Sequence, residues 1–237
     1  MQDQNNNFYS GLRELLDLEV MKNYNNAIVR KAFRKIEKPG KQVLDFGAGI
    51  GTLSNIFRER YNLNPFCLEI DKRNISFLKK RGLNYIESFD SLTSEIDFVF
   101  SSNVLEHIKD DKKILIKIRE NLKKGGLLYL YLPANMNLWT SLDETVGHYR
   151  RYNLTDLKIK CRSLGFNILE AHYADCLGYF AVLIWKIFNK NSKLKFASRD
   201  SLKFYDKFIF PVSEFLDNLG FKFLFGKNII LIGEKIY

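Results

Sequence analysis

Two of the three histidines in this 237-residue chain stand in company that suits proton transfer. His107 ends the run Asp97-Phe98-Val99-Phe100-Ser101-Ser102-Asn103-Val104-Leu105-Glu106-His107, and His148 lies in Gly147-His148-Tyr149-Arg150-Arg151-Tyr152. An imidazole titrates near neutrality and is the simplest side chain to take a proton from an alcohol, so either histidine can serve as the base, with a preference for His148. Around His148 a stretch from 134 to 151 gathers Trp139, Asp143, Glu144, Tyr149, Arg150 and Arg151, with Tyr152 next to it. Trp139, Tyr149, Arg150, Arg151 and Tyr152 are candidates to line an acceptor; the alternative is that the arginines pair with Asp143 and Glu144 simply to hold the loop. His172 falls in a strand and reads as a core or edge residue.

A second constellation is built from glycine. Val43-Leu44-Asp45-Phe46-Gly47-Ala48-Gly49-Ile50-Gly51-Thr52-Leu53-Ser54 reads as a buried strand, a glycine loop and a helix start, an arrangement that cradles a nucleotide. The glycines are spaced G-x-G-x-G; the dinucleotide fingerprint needs a glycine where Thr52 stands, and no phosphate-binding G-x-x-x-x-G-K-[ST] follows. Asp45 at the strand end would repel a pyrophosphate and favour a cationic or zwitterionic ligand. Eighteen residues beyond Gly51, Glu69 closes a second apolar strand and can accept both hydroxyls of a ribose, a spacing that dehydrogenases share.

The elements that must carry these residues alternate. A helical period spans about Leu12 to Ile36, stopped by Pro39-Gly40. Strands are then expected at 42–45, 65–70, 85–87, 98–101 and 127–132, with helices at 52–60, 73–80 and 112–122 between them. Such alternation predicts an α/β fold with a parallel sheet covered on both faces and its ligands beyond the carboxyl ends of the strands. After Pro133 come the His148 loop, a helix over 155–164 with Thr155 as its N-cap, a strand over 167–173, about fifty aromatic and basic helical residues, and a last strand over 228–235.

Composition narrows the class. With 46% hydrophobic residues the chain can bury one large core. Its three cysteines, Cys67, Cys161 and Cys176, include no C-x-x-C pair, which argues for a reducing compartment and against a disulfide scaffold or zinc site, so no metal is expected. The polar start, Met1 to Asn7, lacks the apolar core of a signal peptide, and a cytoplasmic protein is expected. The net charge of +10 is spread along helix faces with no block of five basic residues, which disfavours a nucleic-acid partner. The segment from 176 to 226, with its apolar run from Leu177 to Phe188, is too short in that run to span a bilayer. It suits a helical cap on its own domain, a greasy acceptor pocket, or peripheral contact with an anionic membrane.

V-L-D-F-G-A-G-I-G resembles the first motif of the class I S-adenosylmethionine-dependent methyltransferases, and the later segments extend the resemblance from residue 43 to 108. Asp97 to Ile108 is similar to the D-x-V-x-x-x-x-V-L-E-H-[IVL] segment of members that act on small molecules, biosynthetic intermediates and sugars. The G-H-x-R-R-Y cluster resembles a bacterial subfamily associated with surface-polysaccharide or lipid pathways. The resemblance implies a Rossmann-like doubly wound sheet of seven mostly parallel strands, a C-terminal antiparallel hairpin and a helical cap inserted before the last strand. It places S-adenosylmethionine, with S-adenosylhomocysteine as product, on Asp45, Gly47, Ala48, Gly49, Gly51, Glu69, Ile70, Phe89, Asn103 and Val104. Phe89 would offer its backbone amide and ring to the adenine, since Ser88 stands where the family usually has an acid. The N-P-P-[YF] or D-P-P-[YF] sequence of DNA-base aminomethyltransferases is replaced by Ser101-Ser102-Asn103-Val104.

These readings divide the chain into an N-terminal helical segment (1–40), a core (41–175), a cap (176–226) and a last core strand (227–237). The acceptor expected is a small molecule, glycan or lipid-linked glycan, methylated on oxygen. Alternatives are a methyltransferase acting on nitrogen or RNA, a dinucleotide oxidoreductase, and a binding module without catalysis.

Overall fold

The computed structural model describes residues 11–36, 40–188 and 198–237. The asparagine-rich start, Pro39 at the expected helix stop and residues 189–197 of the expected cap lie outside them. Strands β1 (Val43–Phe46), β2 (Phe66–Leu68), β3 (Tyr85–Ile86), β4 (Ile96–Ser102), β5 (Leu122–Pro133), β6 (Phe166–Ala174) and β7 (Asn228–Lys235) form one sheet in the order β3-β2-β1-β4-β5-β7-β6. The first five pair in parallel, and β7 lies antiparallel between β5 and β6. Strand order reverses between β1 and β4, the place where such sheets leave a crevice for ligands.

Each face of the sheet is sealed by its own apolar set. Along β5, Leu128, Leu130 and Leu132 point to one side, where they join Leu115 and Ile118 of helix α5 (Asp111–Asn121) and Leu157 and Cys161 of α7 (Leu154–Ser163). Tyr129 and Tyr131 point to the other, against Tyr24 and Ile28 of α2 (Lys22–Phe33), Phe57 of α3 (Thr52–Tyr61) and Phe210 of α10 (Phe210–Asn218). The period of two along a doubly covered strand makes both sets apolar. β1 is buried at all four positions, as its apolar run requires.

The helical period at the N-terminus resolves into two helices rather than one: α1 (Leu12–Leu18) and α2, with Met21 in a non-helical conformation between them. α2 has no cap from its own sequence. Asp206 supplies one from 183 residues away, accepting from the backbone N–H of Asn23 at 3.0 Å and of Tyr24 at 2.8 Å. With its orphan donors satisfied there, the chain can turn between the helices, and α1 swings away from the sheet toward the glycine loop.

Other boundaries also move. Asn153, not Thr155, caps α7, its side chain accepting from the N–H groups of Thr155 and Asp156. β5 starts five residues before its apolar run, at Leu122, and passes through Gly125 at φ 73°. The stretch expected as a plain loop contains α6 (Ser141–Thr145), started by a reciprocal bond pair between Thr140 and Asp143.

Between β6 and β7 run α8 (Cys176–Phe188), α9 (Arg199–Phe204) and α10. One π-type turn, Tyr205–Ile209, joins α9 to α10 and ends two residues before Pro211, whose missing N–H and bulky ring do not tolerate regular helix in the preceding turn. Asp175, in the left-handed region at φ 63°, anchors this insertion by accepting from Gly178 N–H, Ser213 Oγ and Tyr205 Oη, with Lys227 Nζ 3.1 Å away. Arg30 of α2 binds Glu214 of α10, so the insertion and the N-terminal helices pack as one layer.

Candidate active site

The glycine loop leaves β1 at the switch point and is held down by β2, since Gly47 N–H and Ala48 N–H both donate to the Leu68 carbonyl. Gly47 has φ 75°, and a Cβ there would lie 2.4 Å from Cγ2 of Val104 at the end of β4. Only glycine permits both this backbone and this approach. Gly51, at φ 79°, starts α3 and would strike Leu78 and Leu83 if it carried a side chain. α1 closes the outer side: Leu15 rests against Gly49, while Glu19 accepts from Arg81 at 2.5 Å and from Thr52 Oγ1 at 3.3 Å.

Two buried acids flank the loop. Glu69 accepts from Gly49 N–H through Oε2 and from Ile70 and Asp71 N–H through Oε1, each at 2.8 Å. A carboxylate has about four lone-pair directions, so these bonds leave room for a further donor. Asp45 accepts from Ser54 Oγ at 2.7 Å, and Cys67 Sγ donates to the same hydroxyl. Burial, opposed by the Ser54 bond and reinforced by the charge of Glu69, raises the Asp45 carboxyl to about 7. Ile70 is 66% exposed beside Glu69, an apolar side chain left open at the rim. Asn103 ends β4 in the left-handed region at φ 53°, its N–H bonded to the Tyr131 carbonyl. The Phe89 ring turns inward and stacks on Phe46 at 5.6 Å, within the core, so it is not open to a ligand as the sequence reading supposed.

The cluster of histidines begins two residues beyond Val104. Glu106 is wholly buried, and neither of its carboxylate oxygens has a hydrogen-bond partner. Burial pushes this carboxyl up to about 8. The His148 loop is stitched to it by Tyr149 N–H donating to the Glu106 carbonyl at 2.8 Å. His148 Nδ1 lies 2.7 Å from Asp143 Oδ1 and its Nε2 lies 3.9 Å from Glu106 Oε1. The rings of His107 and His148 meet edge to face with centroids 4.5 Å apart. Desolvation, and then the neighbouring His148, lower the His107 pKa, although the residue as a whole is exposed.

Asp143 is the hub of the loop. It is 1% exposed and accepts from Thr140 N–H and Oγ1, from Arg151 Nε and NH2, and lies against His148. Burial acts to raise its pKa, but the bonds from His148 and Arg151 and the Arg151 charge outweigh it and hold the carboxyl at about 2.

The two histidines singled out in the sequence therefore stand side by side, next to the glycine loop through Val104. Of the five residues expected to line the acceptor, all but Tyr149 have their polar ends on the protein itself. Arg151 is on Asp143, Arg150 is 3.0 Å from Asp111, and the buried Tyr152 donates its hydroxyl to Asp111. The expected pairing of both arginines with Asp143 and Glu144 is thus half met, and Glu144 accepts from Trp139 Nε1 instead. Tyr149 and part of Trp139 stay open. Sequence reasoning passed over Glu106 as a site residue, though the Glu-His pair was its signal; Leu15 and Glu19 of α1 gave no signal at all.

Comparison with known proteins agrees with this geometry. A family model described as a methyltransferase domain matches residues 18–171. Trans-aconitate 2-methyltransferase of Deinococcus radiodurans is 26% identical over 106 residues, 42% of this chain and 40% of that protein. The curated relatives are matched over only 39% to 52% of their own lengths. Among solved structures, a chain from the complex between the Haloferax volcanii Trm112 methyltransferase activator and its methyltransferase superposes with a TM-score of 0.63 at 15% identity, over 98% of both chains. Phosphoethanolamine N-methyltransferase 2 of Haemonchus contortus, solved with S-adenosyl-L-methionine, gives 0.59 at 20% identity over 91% of this chain and 53% of that one. At such identities the structural likeness speaks for the fold. The family model, which spans well over half of the sequence, goes further: this chain belongs to the methyltransferase-domain family.

Proposed function

We propose that this methyltransferase moves a methyl group from S-adenosylmethionine to a hydroxyl of a small-molecule or glycan acceptor, within the subfamily marked by the G-H-x-R-R-Y loop. S-adenosylmethionine is its cofactor and supplies an activated methyl on a sulfonium. The residues of the glycine loop suit it: Glu69 has spare acceptor capacity for a ribose hydroxyl, Ile70 offers an apolar surface to a flat ring, and Asp45, whose carboxyl burial holds at about 7, is a group whose ionised form a cationic ligand would favour. Gly47, Ala48, Gly49, Gly51, Asn103, Val104 and the backbone of Phe89 complete the proposed cofactor set. We read 41–175 and 227–237 as the catalytic core, with 1–40 and 176–226 as its cover.

The observation that carries the choice of a hydroxyl is the Asp143–His148 contact at 2.7 Å. With Nδ1 committed to an anion, Nε2 keeps a lone pair and faces the open pole beside His107. A neutral alcohol must lose a proton as its oxygen attacks carbon; an amine in its neutral form already carries a free pair, and a carboxylate is already anionic. His148 takes that proton, and Asp143 stabilises the imidazolium that forms, the division of labour seen wherever a carboxylate orients a catalytic imidazole. Proximity supplies much of the remaining acceleration.

A lipid-linked acceptor fits the cover. Phe208, Phe215, Leu219 and Phe223 are exposed on the insertion, with Lys207 and Lys222 over two of these rings, on a chain of net charge +10. Such a surface suits the anionic interface where lipid-linked glycans lie. Among the described residues no helix is long and apolar enough to cross a membrane.

The test is transfer of labelled methyl from the cofactor into separated pools of lipid-linked glycan, water-soluble metabolites and RNA, beside calorimetry with S-adenosylhomocysteine and NAD. Labelling of the glycan or metabolite pool is expected, with a base-stable O-methyl ether as product; a base-labile methyl ester would refute the choice of a hydroxyl. His148→Ala should lower turnover by about 10²-fold or more at unchanged S-adenosylhomocysteine affinity. Labelled RNA would refute the acceptor class, and an unchanged rate would remove His148 from the chemistry.

A further inference from the structure

We propose that Glu106, His107 and His148 form a binding site for a divalent first-row metal ion, in which Asp143 and the Val146 carbonyl orient the two imidazoles. One ligand atom from each of the three residues lies within 4.8 Å of the others, so a small inward adjustment brings all three onto one cation. The argument starts from Glu106. A carboxyl group with no exposed surface and no partner for either oxygen is costly, and buried acids in folded proteins are paired, hydrogen-bonded or bound to metal. Arg151 reaches it only with its charge and not with a hydrogen bond, because that guanidinium is turned onto Asp143. The groups that do face it are imidazole nitrogens, the nearer being His148 Nε2 at 3.9 Å.

Both imidazoles are fixed from behind. His148 is anchored through Nδ1 on Asp143, and His107 is hydrogen-bonded to the backbone carbonyl of Val146. A metal-binding histidine characteristically donates its other ring nitrogen to a carboxylate or a backbone carbonyl, which fixes the tautomer and aims the free lone pair. Asp143 is itself locked by Arg151 and Thr140, so the aim of His148 does not depend on a flexible support. Two imidazoles and one carboxylate suit zinc, manganese, iron or cobalt(II) better than calcium, and three protein ligands leave positions free. The open side of His107 gives the ion a way in and leaves those positions facing the acceptor pole.

The role of the ion rests on the reading of this pole as the place of the acceptor. A hydroxyl oxygen coordinated there becomes more acidic, gives up its proton to solvent, and attacks the methyl carbon as an alkoxide while the carbon–sulfur bonding pair stays on sulfur. In that case His148 acts as a ligand and not as the base.

Cobalt(II) is the probe. The full-length protein is stripped with chelator and titrated with cobalt(II), following visible d–d absorption and heat, with zinc(II) as competitor. One saturable cobalt(II) per chain, displaced by zinc(II), is expected. Glu106→Gln and His107→Ala should each weaken binding by about 100-fold or more, and Asp143→Asn by about 10- to 100-fold, with circular dichroism and S-adenosylhomocysteine affinity confirming that the variants fold. Absence of saturable uptake, or equal uptake by wild type and both ligand variants, overturns the site. Methyl transfer that survives chelation but dies in His148→Ala overturns the ion's role in activating the acceptor, and leaves the general-base reading standing. Stoichiometric binding in a protein that transfers no methyl group upholds the site and overturns the functional reading alone.

Discussion

Replacing Asp45 by asparagine should change how stability depends on pH, and the size of the change follows from its surroundings. The carboxyl is 3% exposed, accepts one hydrogen bond from Ser54, and has a pKa of about 7 against an ordinary 3.8, from burial first and the charge of Glu69 after it. A folded-state pKa above the unfolded one means that the protonated acid is favoured by the fold. Its contribution to stability is therefore complete below about pH 4 and is lost as pH rises through about 7. At about 1.4 kcal/mol per pH unit, the ionised group costs the fold up to about 4 kcal/mol by then. Asparagine keeps the volume and an oxygen for Ser54 but cannot ionise. The stability of Asp45→Asn relative to wild type should accordingly rise by about 2 to 4 kcal/mol between about pH 4 and about pH 8. Urea unfolding across that range, followed by the fluorescence of Trp139 and Trp185, measures the difference with other titrating groups cancelling between the two proteins. A difference that stays constant with pH would refute the reasoning, because Asp45 would then be ionised throughout.

Gly47→Ala forces a Cβ to 2.4 Å from a β-branched Val104 at a positive φ, and should destabilise the fold by about 2 to 4 kcal/mol; Val104→Ala in the same chain should recover more than about 1 kcal/mol of this, and strict additivity in denaturant unfolding would deny the contact. Asp143→Ala strips the partners from Arg151, His148 and Thr140, and a loss of about 3 to 5 kcal/mol is expected by calorimetry, with Asp143→Asn falling between it and wild type; a loss under about 1 kcal/mol would mean that the loop is held by other bonds. Asp206→Ala removes the remote cap of α2 and should cost about 1 to 2 kcal/mol, together with faster amide exchange at Asn23 and Tyr24; unchanged exchange at those two amides would show that the cap is dispensable.

The parts of this molecule that the sequence disclosed are those governed by neighbours in the chain. The strand, glycine loop and helix from Val43 to Tyr61 are set by local rules: an apolar run, positive-φ glycines and a helical period, and the structure differs from expectation there by one residue at each end. The same holds for the last strand, Asn228–Lys235. What local rules missed depends on contacts between distant residues. The continuous period from Leu12 to Ile36 could not reveal its break, because the donors that open the second helix are satisfied by Asp206. The inward turn of Phe89 is decided by Phe46, forty-three residues earlier, at the carboxyl end of β1.

The histidine pole shows the same division more sharply. Its residue types were visible in sequence, yet Glu106 and His107 read as a common neighbouring pair and Asp143 as one of two acids available to two arginines. Which acid takes which arginine is decided by the fold: Arg151 reaches Asp143 in the same loop, whereas Arg150 points the other way to Asp111 at the start of α5. That choice has a chemical consequence. With Arg151 held on Asp143, the guanidinium makes no hydrogen bond to Glu106 and its charge does not outweigh the burial of that acid, and with His148 Nδ1 held on the same carboxylate, Nε2 is turned toward Glu106. An acid without a partner and an imidazole with a free lone pair then face each other across 3.9 Å, with His107 as the third wall. No spacing rule encodes an unsatisfied carboxylate, because it is defined by what fails to reach it in three dimensions. The chemistry of the pole therefore turns on Glu106, whose sequence context showed its neighbour His107 but not its want of a partner.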